Sequence, residues 1–557
     1  MTTFLPTTKE EIQQLGWEAP DIILISGDTY IDSPFTGTAV IGNWLYVHGF
    51  KVAVISQPDI KSYDIARLGE PKLFWGISAG AMDSLVANYT ALNKVRNNDD
   101  LTPGGINNRR PDRACIVYTN LIRKNFKNTK PIVLGGLEAS LRRITHYDYK
   151  DNNLRRSILF DAKADIIVYG MGEKTSLELA KRIRDGKDWK DIKGICYISK
   201  EKNKNTEEIP SFEECKKNKN SFFCAFRTFY KNACNPNSRI LVQKHADRYL
   251  IHNPKQECLS PQELDAIYDI DYTREVHPYY AKYGKVKAQD TIKFSITTHR
   301  GCFGECNFCS IAAHQGKEVV SRSEKSIIKE VQKITKLKGF KGYITDLGGP
   351  TANMFETKCT INKNAGKCRD KHCLLPQTCQ NLIFGHKSQI KLLEKISSIP
   401  YIKKVFISSG LRHDMICTDK DYGQKYLDII VKDNISGQMK IAPEHYDDKI
   451  LNLMGKPPGK FLRLFIEMFK KSCDNKKFLT YYFIAAYPGC GNKQMYDLQK
   501  FITKNLKIHP EQVQIFTPTP STNATLMYYC ERDLSWNEIF VEKDRNNKQK
   551  QKRIICR

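Results

Sequence analysis

Between Asp21 and Gly172 short apolar, β-branched runs recur at helix-length intervals: DIILIS (Asp21–Ser26), KVAVIS (Lys51–Ser56), KLFWGI (Lys72–Ile77), ACIVY (Ala114–Tyr118), PIVLGG (Pro131–Gly136) and ADIIVYG (Ala164–Gly170). A strand that is apolar along its whole length must be covered on both faces, and crossovers of helix length join parallel neighbours. This rhythm predicts a doubly wound α/β (Rossmann-like) domain over residues 1–199. Ligands of such sheets sit at the carboxyl ends of strands, where Gly135, Gly136 and Glu138 fall. No GxGxxG or Walker pattern follows the first strand, so a nucleotide fingerprint is missing; His48-Gly49 lacks a DxHxxG context, so cobalamin is disfavoured and rests on fold analogy alone.

Residues 200–287 read differently. KEKNKNTEEIPSFEECKKNKNS (Lys200–Ser221) is charged and polar, and PQELDAIYDI (Pro261–Ile270) is helical in pattern. A linker and bridging helical segment is the expectation.

A second series of runs follows: IKFSITT (Ile292–Thr298), GYITDL (Gly342–Leu347), KVFISSG (Lys404–Gly410), GQMKIA (Gly437–Ala442), TYYFIAAY (Thr480–Tyr487) and QVQIFTP (Gln512–Pro518). The clearest intervening helix follows Ser323, where Ile327, Val331, Ile334 and Leu337 form an apolar stripe closed by Gly339. Six strands and five helices over 288–530 predict a partial, TIM-like (β/α)6 barrel, with its active face at the strand C-termini. A cysteine-rich insertion, 358–380, and a basic tail, 531–557, complete the division.

The 557 residues are 41% hydrophobic and 27% charged, which excludes a disordered chain, and no apolar run has the ~18 residues of a membrane span. Glu10 and Glu11 occupy the place of a secretory apolar region, so a cytoplasmic location is expected and the 18 cysteines read as ligands or buried thiols rather than disulfides. The formal charge of +27 is concentrated only in Lys358–Lys371 and Lys543–Arg557. Nucleic acid is therefore a disfavoured partner, to be sought in those two segments.

Directly after the first strand of the second series comes Thr297-Thr298-His299-Arg300-Gly301-Cys302-Phe303-Gly304-Glu305-Cys306-Asn307-Phe308-Cys309. Three cysteines spaced this closely converge from one loop onto an iron–sulfur cluster and leave one iron open. A zinc loop completed by His299 or His314 is the alternative. Cys359, Cys368, Cys373 and Cys379 form a second set, a candidate auxiliary iron–sulfur or zinc site. The other cysteines lack ligand spacing.

CxxxCxxC on this loop resembles the radical S-adenosylmethionine superfamily. Ser295–Ile328, DLGGPTANM (Asp346–Met354), APEH (Ala442–His445), AYPG (Ala486–Gly489), ISAGAMDSLVANYTA (Ile77–Ala91), GGLEASLRRITHYDY (Gly135–Tyr149) and LVQKHADR (Leu241–Arg248) resemble the YgiQ-type proteins, from Leu5 to about Tyr529. The resemblance implies an enzyme in which Cys302, Cys306 and Cys309 hold a 4Fe-4S cluster whose fourth iron binds S-adenosylmethionine. A one-electron donor such as flavodoxin or ferredoxin would reduce it, and the 5′-deoxyadenosyl radical would take hydrogen from an unspecified substrate. It implies cofactor contacts from Phe308, Gly348 and Gly349, with Pro350 in place of the superfamily's acid; Ser408 and Tyr487-Pro488-Gly489 are cofactor-contact candidates from their places at strand ends. Arg412 and Glu444, at strand ends, are the catalytic candidates, with Ser409 and His445 beside them.

Two other readings compete. GKEVVSR (Gly316–Arg322) resembles the corresponding loop of methylthiotransferases acting on tRNA or a ribosomal protein, but the extra-cluster cysteines expected there are missing, since only Cys115 precedes Cys196. The second is a non-catalytic iron–sulfur or zinc module that binds nucleic acid.

Overall fold

In the computed structural model, which describes residues 4–202, 205–233, 235–361, 372–473 and 477–556, the chain divides into two compact units. The first comprises Met1–Leu259, Ala266–Lys293 and Thr519–Ser521, the second Ser260–Asp265, Phe294–Pro518 and Thr522–Arg557.

The first unit is built on a nine-stranded sheet. Across it run Val52–Ser56, Ile22–Ser26, Phe74–Ser78, Ile132–Gly135 and Ile166–Val168, all parallel. The strand order reverses beside Ile22–Ser26, as in doubly wound folds. There the backbones approach closely: a Cβ on Gly27 would lie 2.2 Å from the Ala79 carbonyl oxygen. Buried Ile22, Leu24, Val52, Val54, Phe74 and Val133 anchor the core, as near-continuous apolar strands require.

Two expectations change here. ACIVY is the start of a helix, Ala114–Asn125, not a strand. The expected linker is part of the sheet: Ile195–Ser199, Arg248–His252 and Ile240–His245 add antiparallel to the edge, and Thr206–Ile209 closes it parallel to Ile240–His245. Helices Phe212–Lys217 and Lys219–Asn232 fill the connection.

At the carboxyl edge of this sheet the polar groups are already committed. Glu138 accepts hydrogen bonds from Ser84 N (2.8 Å) and Cys115 N (3.1 Å), and from the Ser84 hydroxyl. Arg142, fully buried, donates Nε to Asp83 (2.7 Å) and Nη1 to Asp148 (2.8 Å).

In the second unit all six expected strands form, mostly shortened. Ser295–Thr297 pairs with Asp346–Gly348, and Tyr343–Ile344 with Lys404–Val405. Gln438–Glu444, Phe478–Ala485 and Gln512–Ile515 form a parallel three-stranded sheet. Sequence neighbours lie in order, the third and fourth strands being joined only by an isolated parallel bridge, Leu411 to Ile441, and among the described residues the sixth strand does not return to the first, so the barrel is open. Ser323 caps the helix Glu324–Thr335 by accepting from Ser326 N, and Ile327, Val331 and Ile334 are buried.

The basic tail is not a free arm. Arg545–Ile555 is a helix whose Lys548, Gln551, Ile554 and Ile555 are buried on one face. Lys548 Nζ donates to the Tyr528 hydroxyl at 2.9 Å, and burial pushes its pKa down to about 8. Its charge is therefore not offered to a polyanion. Among the described residues no helix is long and apolar enough to cross a membrane.

Candidate active site

The second unit carries the cysteine loop at the carboxyl end of its first strand. Thr298 N donates to Gly348 O at 2.7 Å, which ties the loop's root to the end of the second strand. Gly301 has φ +81°, and a Cβ there would lie 1.8 Å from Glu318 O, so the turn admits glycine alone. Asn307, between the second and third cysteines, staples the loop down. Its N donates to Met454 O (2.8 Å), its Nδ2 to Leu453 O (3.0 Å), and it accepts from Asn523 Nδ2 (2.9 Å) and Ala524 N (2.8 Å).

The sulfurs have distinct surroundings. Cys302 Sγ accepts from Gly304 N at 3.3 Å and lies 3.3 Å from Thr351 Oγ1. Cys306 Sγ accepts from Arg412 Nη1 at 3.6 Å. Burial pushes the Cys309 thiol up to about 12, with Cys306 and Cys302 adding in the same direction. Burial also raises Cys302. Protonated thiols are thus favoured until something positively charged binds them.

Arg412 is held as a rigid fork. Nε and Nη2 donate to the two Asp414 carboxylate oxygens at 2.8 and 2.7 Å, while its backbone N and O bond the Asn353 side chain at 2.8 and 3.0 Å. Burial opposes its charge, but Asp414 and the Cys306 sulfur hold its pKa above the ordinary value. Glu444 ends its strand at φ +68°, and burial raises its pKa against the opposing charge of Lys456. Burial lowers the adjacent His445 to about 4.

The residues expected to contact the cofactor have unlike surroundings. Phe308 meets Tyr487 edge to face, ring centroids 6.2 Å apart, and the Tyr487 hydroxyl donates to Leu453 O at 3.0 Å. Pro488 is buried, and Gly489 (φ +90°) donates its N to Phe540 O at 2.7 Å. A Cβ on Gly349 would lie 2.8 Å from His299 Nε2, a fully buried nitrogen with no hydrogen-bond partner among the described residues. A Cβ on Gly348 would meet Ser409 Oγ at 3.0 Å. Ser408 is exposed, its hydroxyl donating to Thr345 O at 2.8 Å and its N to Asp346 at 2.8 Å.

Of the second cysteine set, Cys368 lies outside the described residues. Cys359, Cys373 and Cys379 pack with Cys302 against the apolar cluster of Phe303, Val319, Met354, Leu374, Leu382 and Met415. The two cysteine sets therefore share one neighbourhood. Among the described residues no group of three or more His, Cys, Asp and Glu side chains converges on a single metal ion, in either set.

Asn307, Asp414, Thr351 and Asp346 shape the site but were not singled out from the sequence; Asn307, Thr351 and Asp346 act through partners far away in the chain, and Asp414 through Arg412, two residues before it. Gln551 belongs with them. From the C-terminal helix its Oε1 accepts from Ala486 N at 2.9 Å and its Nε2 donates to Cys490 O at 3.4 Å, bracketing Tyr487-Pro488-Gly489. Gln551→Leu is expected to speed amide exchange at Ala486 about tenfold, the worth of one net hydrogen bond. Unchanged exchange, read by mass spectrometry, would mean the segment holds itself.

A close CxxxCxxC loop at the carboxyl end of the first strand of an open parallel barrel places the protein in the radical S-adenosylmethionine superfamily, and residues 4–295 match the family model "Radical SAM N-terminal". The chain belongs to the UPF0313 family. It is 55% identical to the UPF0313 protein of Fusobacterium nucleatum (99% of this chain, 98% of that one), and 46% identical to that of Thermotoga neapolitana (99% and 98%). The UPF0313 protein of Clostridium botulinum is 42% identical (99% and 86%). Among solved structures, the radical S-adenosylmethionine methyltransferase TsrM from Kitasatospora setae, with cobalamin and a 4Fe-4S cluster bound, is similar at TM-score 0.49 and 13% identity, covering 90% of this chain and 74% of that one. The cobalamin-dependent enzyme OxsB is similar at TM-score 0.49 and 12% identity, with 94% of this chain and 57% of that one covered. Likenesses this remote carry nothing about ligands.

Proposed function

We propose that this enzyme holds a 4Fe-4S cluster on Cys302, Cys306 and Cys309 and uses it to cleave S-adenosylmethionine reductively. The supporting observation is the buried Arg412 guanidinium directed at the Cys306 sulfur (3.6 Å). A buried cation aimed at sulfur suits a thiolate held by a metal and is wasted on a neutral thiol. The donor set fits: three thiols on one tight loop, with N–H groups turned toward two of them. A four-iron cube also spreads its ligands more widely than one ion does.

When bound, the cluster supplies the electron that splits S-adenosylmethionine into methionine and a 5′-deoxyadenosyl radical, which abstracts hydrogen from substrate. The chain's own residues orient and exclude. Gly348 and Gly349 let the His299 ring pack directly on their backbone, which leaves its unpartnered Nε2 for a polar group of the cofactor, and burial, lowering its pKa to about 4, keeps that ring neutral. Phe308 and Tyr487 wall the site with apolar surface that keeps water out. A small one-electron donor such as flavodoxin or ferredoxin would serve the cluster.

Protein reconstituted anaerobically with iron and sulfide, reduced with dithionite and given S-adenosylmethionine is expected to form 5′-deoxyadenosine. An intact, reduced cluster that forms none overturns this reading.

A further inference from the structure

We propose that Arg412 and Asp414 set the reduction potential of the cluster, Arg412 raising it and Asp414 limiting the rise. This rests on reading Cys302, Cys306 and Cys309 as cluster ligands, and it makes Arg412 a positioning and tuning residue where the sequence suggested a catalytic one.

The geometry is specific. All three guanidinium nitrogens are engaged: Nε and Nη2 with Asp414 at 2.8 and 2.7 Å, and Nη1 with Cys306 Sγ at 3.6 Å. The group is wedged against the cysteine loop, since a Cβ on Gly304 would come within 3.0 Å of Arg412 Nη1 and 3.2 Å of Cys302 Sγ. Its backbone is clamped by Asn353, whose Nδ2 lies 3.2 Å from His386 Nε2, and His386 Nδ1 is paired with Asp419 at 2.7 Å. With its backbone so held, the side chain cannot swing away without breaking its bonds to Asp414 and Cys306.

Adding an electron makes a thiolate-bound cluster more negative. An N–H bonded to its sulfur, carrying a positive charge in a dry surrounding, stabilises the reduced state more than the oxidised one. Asp414 sits on the far side of the guanidinium from the sulfur, so it offsets part of the charge without reaching the sulfur itself. The pair acts as a fixed dipole with its positive end on Cys306. Removing either member should therefore move the potential in opposite directions, which a general loosening of the site would not do.

The test is a redox titration of the reconstituted full-length protein, followed by the spin signal of the reduced cluster, for wild type, Arg412→Gln and Asp414→Asn. At the wild-type midpoint, Arg412→Gln is expected to hold about tenfold less reduced over oxidised cluster, a shift of about 59 mV downward for one electron. Asp414→Asn is expected to shift the ratio upward by threefold or more. Both variants moving the same way, or neither moving, overturns the proposal. Should Arg412→Gln fail to retain its cluster, Asp414→Asn decides alone, and no upward shift there overturns it. A wild-type protein that holds no cluster sinks the proposed function instead, which separates the two failures.

Discussion

Cys306→Ala is expected to reduce the iron and sulfide retained on the CxxxCxxC loop to background and to remove 5′-deoxyadenosine formation entirely. Three cysteines leave no spare ligand, and Cys306 is the one whose sulfur meets Arg412. Its loss also removes the sulfur that Arg412 Nη1 donates to, a cost added to the missing ligand. The control is Cys224→Ala, on the exposed face of the helix Lys219–Asn232, which should leave iron content and turnover unchanged. Equal iron and product in Cys306→Ala and wild type would remove the loop from the chemistry altogether.

Arg142→Met is expected to have the largest effect on folding, destabilising the first unit by about 3–5 kcal/mol because it leaves buried Asp83 without its cation and Asp148 with Arg113 alone, at 3.3 Å. Arg142 bonds Asp83 at 2.7 Å and Asp148 at 2.8 Å, with side chains at most 6% exposed. Burial works against the Asp148 charge, but Arg142, and then Arg113, hold its carboxyl well below the usual carboxylate range. A depressed carboxyl contributes stability that is complete above its unfolded-state pKa of about 3.9 and is lost as the pH falls toward its folded-state value. Wild type should therefore weaken in urea below about pH 4, and Arg142→Met should show a lower urea midpoint at pH 7. Combining Arg142→Met with Asp83→Asn and Asp148→Asn should recover much of the loss. A single variant as stable as wild type would show that the network contributes nothing net.

Much of the first sheet was legible because apolar strands at helix-length spacing admit few other arrangements. ACIVY misled because a short apolar run fits a buried helix as well as a strand, and Ala114–Asn125 settles it by burying Ala114, Cys115, Tyr118 and Ile122 on one face. Thr206–Ile209 was hidden by its charge: TEEI reads as loop, yet an edge strand needs only one side of its backbone paired. The cysteine loop was legible from spacing alone. Its supports were not, because Asn307 and Asp414 look like any surface residue until Met454, Asn523 and Arg412 are placed around them. The tail misled for the opposite reason. Its lysines imply solvent, but Lys548 is buried against Tyr528, and only the spacing of Gln551, Ile554 and Ile555 hinted at a packed face.

That tail also has a consequence in time. Ala486 waits for a hydrogen-bond partner 65 residues further along the chain. At roughly 5–20 residues per second, synthesis needs about 3–13 s to produce Gln551 after Ala486. Through that interval the cysteine loop and the strand end carrying Tyr487 exist without their brace. Iron loaded onto a nascent chain would meet an unfinished pocket, so assembly of the proposed cluster would be best served by following translation rather than accompanying it.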